Sequence, residues 1–259
     1  MIPLGDESKL LRRPIVTIGL LVAVAVVWLI VEGAGLDDEL LATRVCTLGL
    51  VPGDLTRLAP MGSAVEMGPG LSCVVEHAAS NILTPFTSMF LHASWPHVIG
   101  NSLFLWVFGK GVEDSMGRAR FLAFYVVCGL AAALAQVVVD PTSGVPMVGA
   151  SGAISGVMGA YLLFSPAVRV RMLFFFVVFA RVVRVPAWLV LLYWFALQLL
   201  GAAAQVSHSG GGEGGVAVFA HGGGFVAGVS LAHVFARRDL VQMHRALTAE
   251  TFAKRGSFA

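Results

Sequence analysis

Charge is scarce in this chain. Only 12% of its 259 residues are Asp, Glu, Lys or Arg, while 57% are hydrophobic, and the mean hydropathy is +0.84. Soluble globular domains carry about 25% charged residues, so the composition excludes an ordinary soluble fold and points to a bilayer. The net charge of +2 gives no reason to expect a nucleic-acid partner. An HExxH zinc pair is absent, and "GASGA" lacks the last glycine of the GxSxG elbow of soluble α/β-hydrolases. No internal repeat marks a transporter built from inverted halves.

What the chain has instead is a series of long apolar runs. A helix of roughly 17–25 apolar residues crosses about 30 Å of hydrocarbon, and six candidates occur: about 15–31, 96–111, 121–139, 148–164, 186–204 and 216–236. In "SWPH", Ser94 is placed to cap the second span and Pro96 falls in its first turn, where a missing N–H costs nothing. The first span is too long for the apolar part of a signal peptide and no small-residue cleavage site follows it, so it reads as a retained helix. Of the seventeen Lys and Arg residues, only Arg44 and Arg57 fall on the side opposite the two termini. Because basic residues accumulate in cytoplasmic loops, both termini are expected in the cytoplasm.

The connections carry further information. The first outer loop, about 33–93, is long enough to have its own structure, and its "TPFTSMFLH" is apolar enough to lie in the membrane interface. Cys46 and Cys73 both fall in this loop, on an oxidising side, so a disulfide between them is chemically allowed; Cys128 lies within the third span. "RVRMLFFFVVFARVVRV" (169–185) is framed and interrupted by arginines, which makes it an interfacial segment rather than a seventh span. The polar, glycine-rich "SHSGGGEGG" (207–215) is a mobile link between the fifth and sixth spans.

Polar side chains inside apolar spans are costly, and four of them share a depth. His97 and Asn101 are one helical turn apart on the second span, so they share a face. Ser151 lies about one turn into the fourth span, and His221 a few residues into the sixth. These spans enter from the same outer side, which places all four residues roughly 3–10 Å below the helix starts at about 1.5 Å per residue. Gly152 and Gly156 on the fourth span, and Gly224 and Gly228 on the sixth, form small-xxx-small pairs that let backbones approach. Such packing would bring Ser151 towards His221. A serine hydroxyl needs a neighbouring base to become a nucleophile, and the oxyanion it generates needs preorganised donors. Taken singly, a membrane serine ordinarily bonds back to its own helix, and a lone histidine ordinarily bridges helices. The shared depth of the four is what favours catalysis.

These residues resemble the rhomboid family of intramembrane serine proteases. "GASG" (149–152) is similar to the family's GxSG nucleophile motif, "HVIGN" (97–101) to its HxxxN pair, and "AHGGGFVAG" (220–228) to its AHxxGxxxG helix. "EDSMG" (113–117) resembles its ExxxG turn. The likeness covers about 80–236. It implies a six-helix rhomboid-like bundle with a long structured first outer loop, an all-α membrane protein with a membrane domain at 14–236. A short cytoplasmic segment, 1–13, would precede that domain, and a basic cytoplasmic tail, 237–259, would follow it.

The resemblance makes Ser151 the nucleophile and His221 the general base of a two-residue dyad that requires no cofactor or metal. His97, Asn101 and the Ser151 backbone N–H would bind the oxyanion. Gly149 and Gly152 would shape the backbone around the serine, while Gly156, Gly224 and Gly228 pack the helices, and His92 would make a structural hydrogen bond. One departure stands out: where some members place a tyrosine that stacks on the catalytic imidazole, this chain has Ser155. The expected activity is cleavage of single-span transmembrane proteins near the outer face of a bacterial cell membrane, with bulky residues of the fifth span acting as a lateral gate. The main rival is a catalytically silent rhomboid-like protein that binds transmembrane clients; its signature would be loss of the serine or histidine, and both are present. A small-solute channel lined by His97, Asn101 and His221 would need polar groups continuing to the cytoplasmic helix ends, and these are missing.

Overall fold

The computed structural model describes residues 2–68, 70–176, 179–207 and 218–256. Most of the glycine-rich link at 207–215 therefore lies outside the described residues. Strand β1 (Ile2–Asp6) precedes helix α1 (Ile15–Val26), which continues as a π turn over Val27–Val31. Pro14 starts α1 without any side-chain cap of its own. The exposed first-turn N–H groups are met instead from far along the chain. Glu113 accepts hydrogen bonds from the backbone of Val16 at 3.0 Å and Thr17 at 2.8 Å, and from the Thr17 hydroxyl at 2.7 Å. A carboxylate there also suits the positive end of the helix dipole.

The segment at 33–93 is structured. It holds α2 (Asp38–Leu48), α3 (Pro52–Thr56), the hairpin β2 (Ala64–Gly68) and β3 (Leu71–Val74), and α4 (Thr84–Thr87). Cys46 on α2 and Cys73 on β3 are bonded to each other, with their Cα atoms 5.3 Å apart. An antiparallel bridge between Leu50 and Met147 ties this unit to the chain just ahead of Ser151.

Helix α5 (Trp95–Phe104) runs through a π turn, Leu105–Gly109, into α6 (Lys110–Met116). Ser94 caps α5 by accepting from the His97 backbone N–H at 3.4 Å. Gly117, at φ 83°, then makes a turn that a side chain would resist, and α7 (Arg118–Val139) follows. After α8 (Ser151–Phe164) the chain departs from the all-helical expectation. Strands β4 (Arg169–Phe176) and β5 (Phe179–Pro186) pair antiparallel, and β1 pairs antiparallel with β4 to complete a sheet of order β1-β4-β5. Along β4, Arg169 and Arg171 are exposed while Val170 and Met172 are buried, the period-two alternation of a half-buried strand.

Helices α9 (Ala187–Ser207), α10 (Val218–Phe235) and α11 (Arg238–Gly256) complete the chain. Among the described residues, α7 and α10 are long and apolar enough to cross a membrane, and α1 with its π turn, α8 and the Ala187–Gly201 part of α9 are shorter apolar helices. Their common core contains Phe108, Phe121, Phe124, Tyr125, Tyr161 and Leu191. At the end of α8 away from Ser151, polar contacts hold the termini. Tyr161 donates to Asp6 at 2.6 Å, Lys110 pairs with Asp6 at 2.7 Å, and Arg245 of α11 donates to the last carbonyls of α8.

Candidate active site

Three consecutive residues set the position of the serine. Gly149 has φ 125°, a conformation in which an L side chain is strained. Its N–H is anchored on the Ser88 carbonyl at 2.8 Å. A Cβ there would stand 2.7 Å from His97 Nε2 and 3.5 Å from Asn101 Nδ2, so the space a side chain would fill belongs to the two polar residues of α5. Ala150 is the N-cap of α8 and offers no side-chain bond. Ser151 is therefore the first residue of the helix rather than one turn inside it, and its own N–H lies at the uncapped, positive end of α8.

Ser151 Oγ lies 2.7 Å from His221 Nε2. The approach depends on backbone proximity between α8 and α10. Cβ atoms on Gly224 and Gly228 would run into the carbonyl oxygens of Gly152 and Gly156 respectively. Gly159, a third small residue of α8, lies against Phe225 of α10, with a Cβ 2.6 Å from its carbonyl oxygen. On the opposite flank of α8, a Cβ at Gly152 would stand 2.6 Å from that of Ala132 on α7. Larger residues at these positions would separate the two helices that carry the polar pair.

The imidazole of His221 has a second partner that the sequence reading overlooked. Gln198 of α9 places its Oε1 2.8 Å from His221 Nδ1. Trp194, one turn earlier on the same helix, sets its ring 5.8 Å from the imidazole at 44°. The signal for Gln198 was present: it is the one strongly polar residue in the apolar "VPAWLVLLYWFALQLLG", and isolated polar groups in such runs call for an explanation. Ser155 is fully buried and donates its hydroxyl to the Ser151 carbonyl at 2.6 Å. It bonds along its own helix and not to His221.

His97 and Asn101 sit beside Gly149, as above. Asn101 Nδ2 lies 2.9 Å from His92 Nε2, so the amide donates to that ring. An amide nitrogen carries two N–H groups, and one remains for another acceptor. His92, fully buried, is fixed in turn by its backbone N–H, which donates to Glu32 Oε1 at 2.8 Å, and its ring meets that of His97 edge-on at 4.9 Å. His97, Asn101, Ser151, His221 and Trp194 all line one cavity of about 940 Å³. Water or a peptide carbonyl in that cavity has access to a hydroxyl, an imidazole and several N–H donors.

The fifth-span residues divide between two faces. Trp188, Leu189, Leu192, Tyr193 and Leu197 are exposed, whereas Trp194 and Phe195 turn inward, with Phe195 stacked on Phe225 at 4.5 Å. The aromatic cluster is thus not wholly outward-facing: Trp194 lines the cavity.

Comparison with known proteins adds an independent observation. The Rhomboid domain matches residues 79–238, a stretch that includes Ser151, His221, His97, Asn101 and Gln198. The chain is 40% identical over 76 residues to the putative rhomboid protease YdcA of Bacillus subtilis (strain 168), which is 29% of this chain and 38% of that protein. It is 41% identical over 81 residues to the rhomboid protease GluP of the same organism, covering 31% of this chain and 15% of the relative. With the rhomboid protease AarA of Providencia stuartii the identity is 34% over 90 residues, 30% and 32% of the two chains. The aligned stretches thus span well under half of the length of these relatives.

Proposed function

The chain belongs to the rhomboid family and is therefore an integral, helical membrane protein, and from that premise we propose that it is an intramembrane serine endopeptidase working through a Ser151–His221 dyad. The observation that carries this reading is the 2.7 Å contact between Ser151 Oγ and His221 Nε2, inside a cavity and at a helix N-terminus.

The geometry suits acyl transfer. His221 Nε2 takes the Ser151 hydroxyl proton as Oγ attacks the scissile carbonyl. Negative charge moves to the carbonyl oxygen, where the Ser151 N–H at the start of α8, the spare Asn101 N–H and His97 are the donors at hand. Collapse of the intermediate expels the amine, which receives the proton from His221 and leaves an acyl-serine. Water then enters the cavity, gives a proton to His221 and displaces Ser151, completing hydrolysis.

In this reading six spans, about 15–31, 96–111, 121–139, 148–164, 186–204 and 216–236, form a membrane domain at 14–236. Residues 1–13 and 237–259 are cytoplasmic, and the dyad opens to the outer face of a bacterial cell membrane. The substrates are single-span membrane proteins whose helix unwinds locally, since a helical peptide bond is shielded by its own hydrogen bonds and side chains. They reach the cavity beside α9, whose outward face is apolar. The test is to incubate purified wild type and Ser151→Ala with a single-span substrate in vesicles. Wild type is expected to cut it and Ser151→Ala to leave it intact. Binding without cutting by the wild type would instead indicate a silent client-binding protein.

A further inference from the structure

A neutral imidazole carries one proton, and it can act as a base towards Ser151 only if that proton is on Nδ1, leaving Nε2 bare. Serine and histidine by themselves do not decide this, because a hydroxyl can donate to Nε2 or accept from it. The group facing the other ring nitrogen decides it when that group can only accept, as an amide oxygen does. We propose that Gln198 is a positioning residue of the dyad: its Oε1 accepts the Nδ1–H of His221 at 2.8 Å, which holds Nε2 unprotonated and aimed at Ser151 Oγ, 2.7 Å away. This inference rests on the protease reading given above.

Three features of the site support the assignment. Leu191, Trp194, Phe195 and Gln198 recur at helical spacing; Leu191 is fully buried and the other three are half-buried, while Leu192, Tyr193, Leu197 and Leu199 are exposed. Gln198 is therefore carried on the face of α9 that meets α10. Trp194, one turn away on the same helix, sets its ring 5.8 Å from the imidazole, so α9 meets His221 with two side chains. Finally, the partner is a neutral amide. A carboxylate in an apolar site carries a large desolvation cost unless it is paired, whereas an amide oxygen orients the N–H without that cost.

The position of Gln198 has a consequence for access. The glycine contacts bind α8 and α10 directly, but Gln198 belongs to α9, which meets α10 through side chains such as Phe195 on Phe225. Displacing α9 would leave Ser151 and His221 adjacent and remove the group that sets the tautomer. The base is thus fully configured only when α9 is seated.

The test compares wild type, Gln198→Leu and Gln198→Glu in vesicles with a single-span substrate, and reads the imidazole nitrogens of His221 by 15N NMR. Gln198→Leu removes the acceptor at similar volume, and we expect kcat to fall about 10- to 100-fold with KM changed less than about threefold, the scale of a mispositioned general base. In this apolar site the carboxyl of Gln198→Glu is expected to stay protonated, so its carbonyl oxygen remains a neutral acceptor at the same reach and the variant should recover most of the loss. Wild type should show the Nδ1–H tautomer, and Gln198→Leu a mixture with Nε2–H. Wild-type kcat in Gln198→Leu, or Nε2–H in the wild type, overturns the proposal. Those results leave the dyad standing if wild type cuts and Ser151→Ala does not. A wild type that neither cuts nor labels with a fluorophosphonate removes the protease reading, and the role of Gln198 with it.

Discussion

Gly224 of α10 lies so close to Gly152 of α8 that a methyl group on Gly224 would overlap the Gly152 carbonyl oxygen. Backbone cannot yield as the end of a flexible side chain can, so Gly224→Ala must push the two helices apart. Overpacking of this kind costs about 1–3 kcal/mol. Because a displacement of about 1 Å at the reacting groups costs about 100-fold in rate, the variant should lose most of its activity as well. Gly222→Ala is the internal control, since nothing among the described residues lies within 4 Å of a Cβ there. Thermal unfolding and cleavage rates of the two variants should therefore separate clearly.

Ser155→Ala should have little effect. The Ser155 hydroxyl donates to the Ser151 carbonyl within its own helix, and no hydrogen bond joins it to His221 among the described residues. A change in kcat below about fivefold, equivalent to about 1 kcal/mol, is expected in a steady-state assay. A loss of about 100-fold would give Ser155 a part in the chemistry that its contacts do not suggest.

The four polar residues of the site were legible because each is an anomaly in an apolar sequence, and alternating topology assigns a common depth. The small residues between them, Gly152, Gly156, Gly224 and Gly228, were legible as packing positions for the same reason. Residues 169–186 were harder to read. The alternation of Arg169, Val170, Arg171 and Met172 is a strand signal, but "LFFFVVF" after it has no period and fits a buried helix equally well. The pairing of Ile2–Asp6 with β4 joins segments far apart in sequence, and no local pattern contains it. Gln198 was visible as a polar residue, yet only the fold puts its amide against His221.

A pH effect is expected at the far end of α8. Asp114 lies beyond the second span and accepts the backbone N–H groups of Leu11 at 2.7 Å and Arg12 at 3.1 Å, and His244 Nδ1 at 2.9 Å. Burial alone would raise its carboxyl pKa. The His244 hydrogen bond, the Leu11 N–H and the charges of His244 and Arg12 outweigh burial and hold it below its usual value. A carboxyl depressed in the folded state contributes its stability fully above its unfolded pKa and loses it as pH falls through the folded value. The fall in Tm between about pH 5 and about pH 3 should thus be smaller in Asp114→Asn than in wild type. At neutral pH the variant should be less stable by about 1–3 kcal/mol, the cost of a weakened buried hydrogen-bonding group.

Cys46→Ser should loosen the outer unit without touching the dyad. The bond to Cys73 closes a 27-residue separation, and a loop of that size is worth about 2–4 kcal/mol. Limited proteolysis of the variant should cut between residues 46 and 73 faster than in wild type. Fluorophosphonate labelling of Ser151 should persist.

The account turns on Ser151 being activated by His221. The most direct measurement is to treat wild type, Ser151→Ala and His221→Ala in vesicles with a fluorophosphonate probe and locate the adduct by peptide mass spectrometry. The prediction is a single adduct on Ser151 in the wild type, none in Ser151→Ala, and a labelling rate lowered by about 100-fold or more in His221→Ala. An unlabelled wild-type Ser151, or undiminished labelling in His221→Ala, would contradict it.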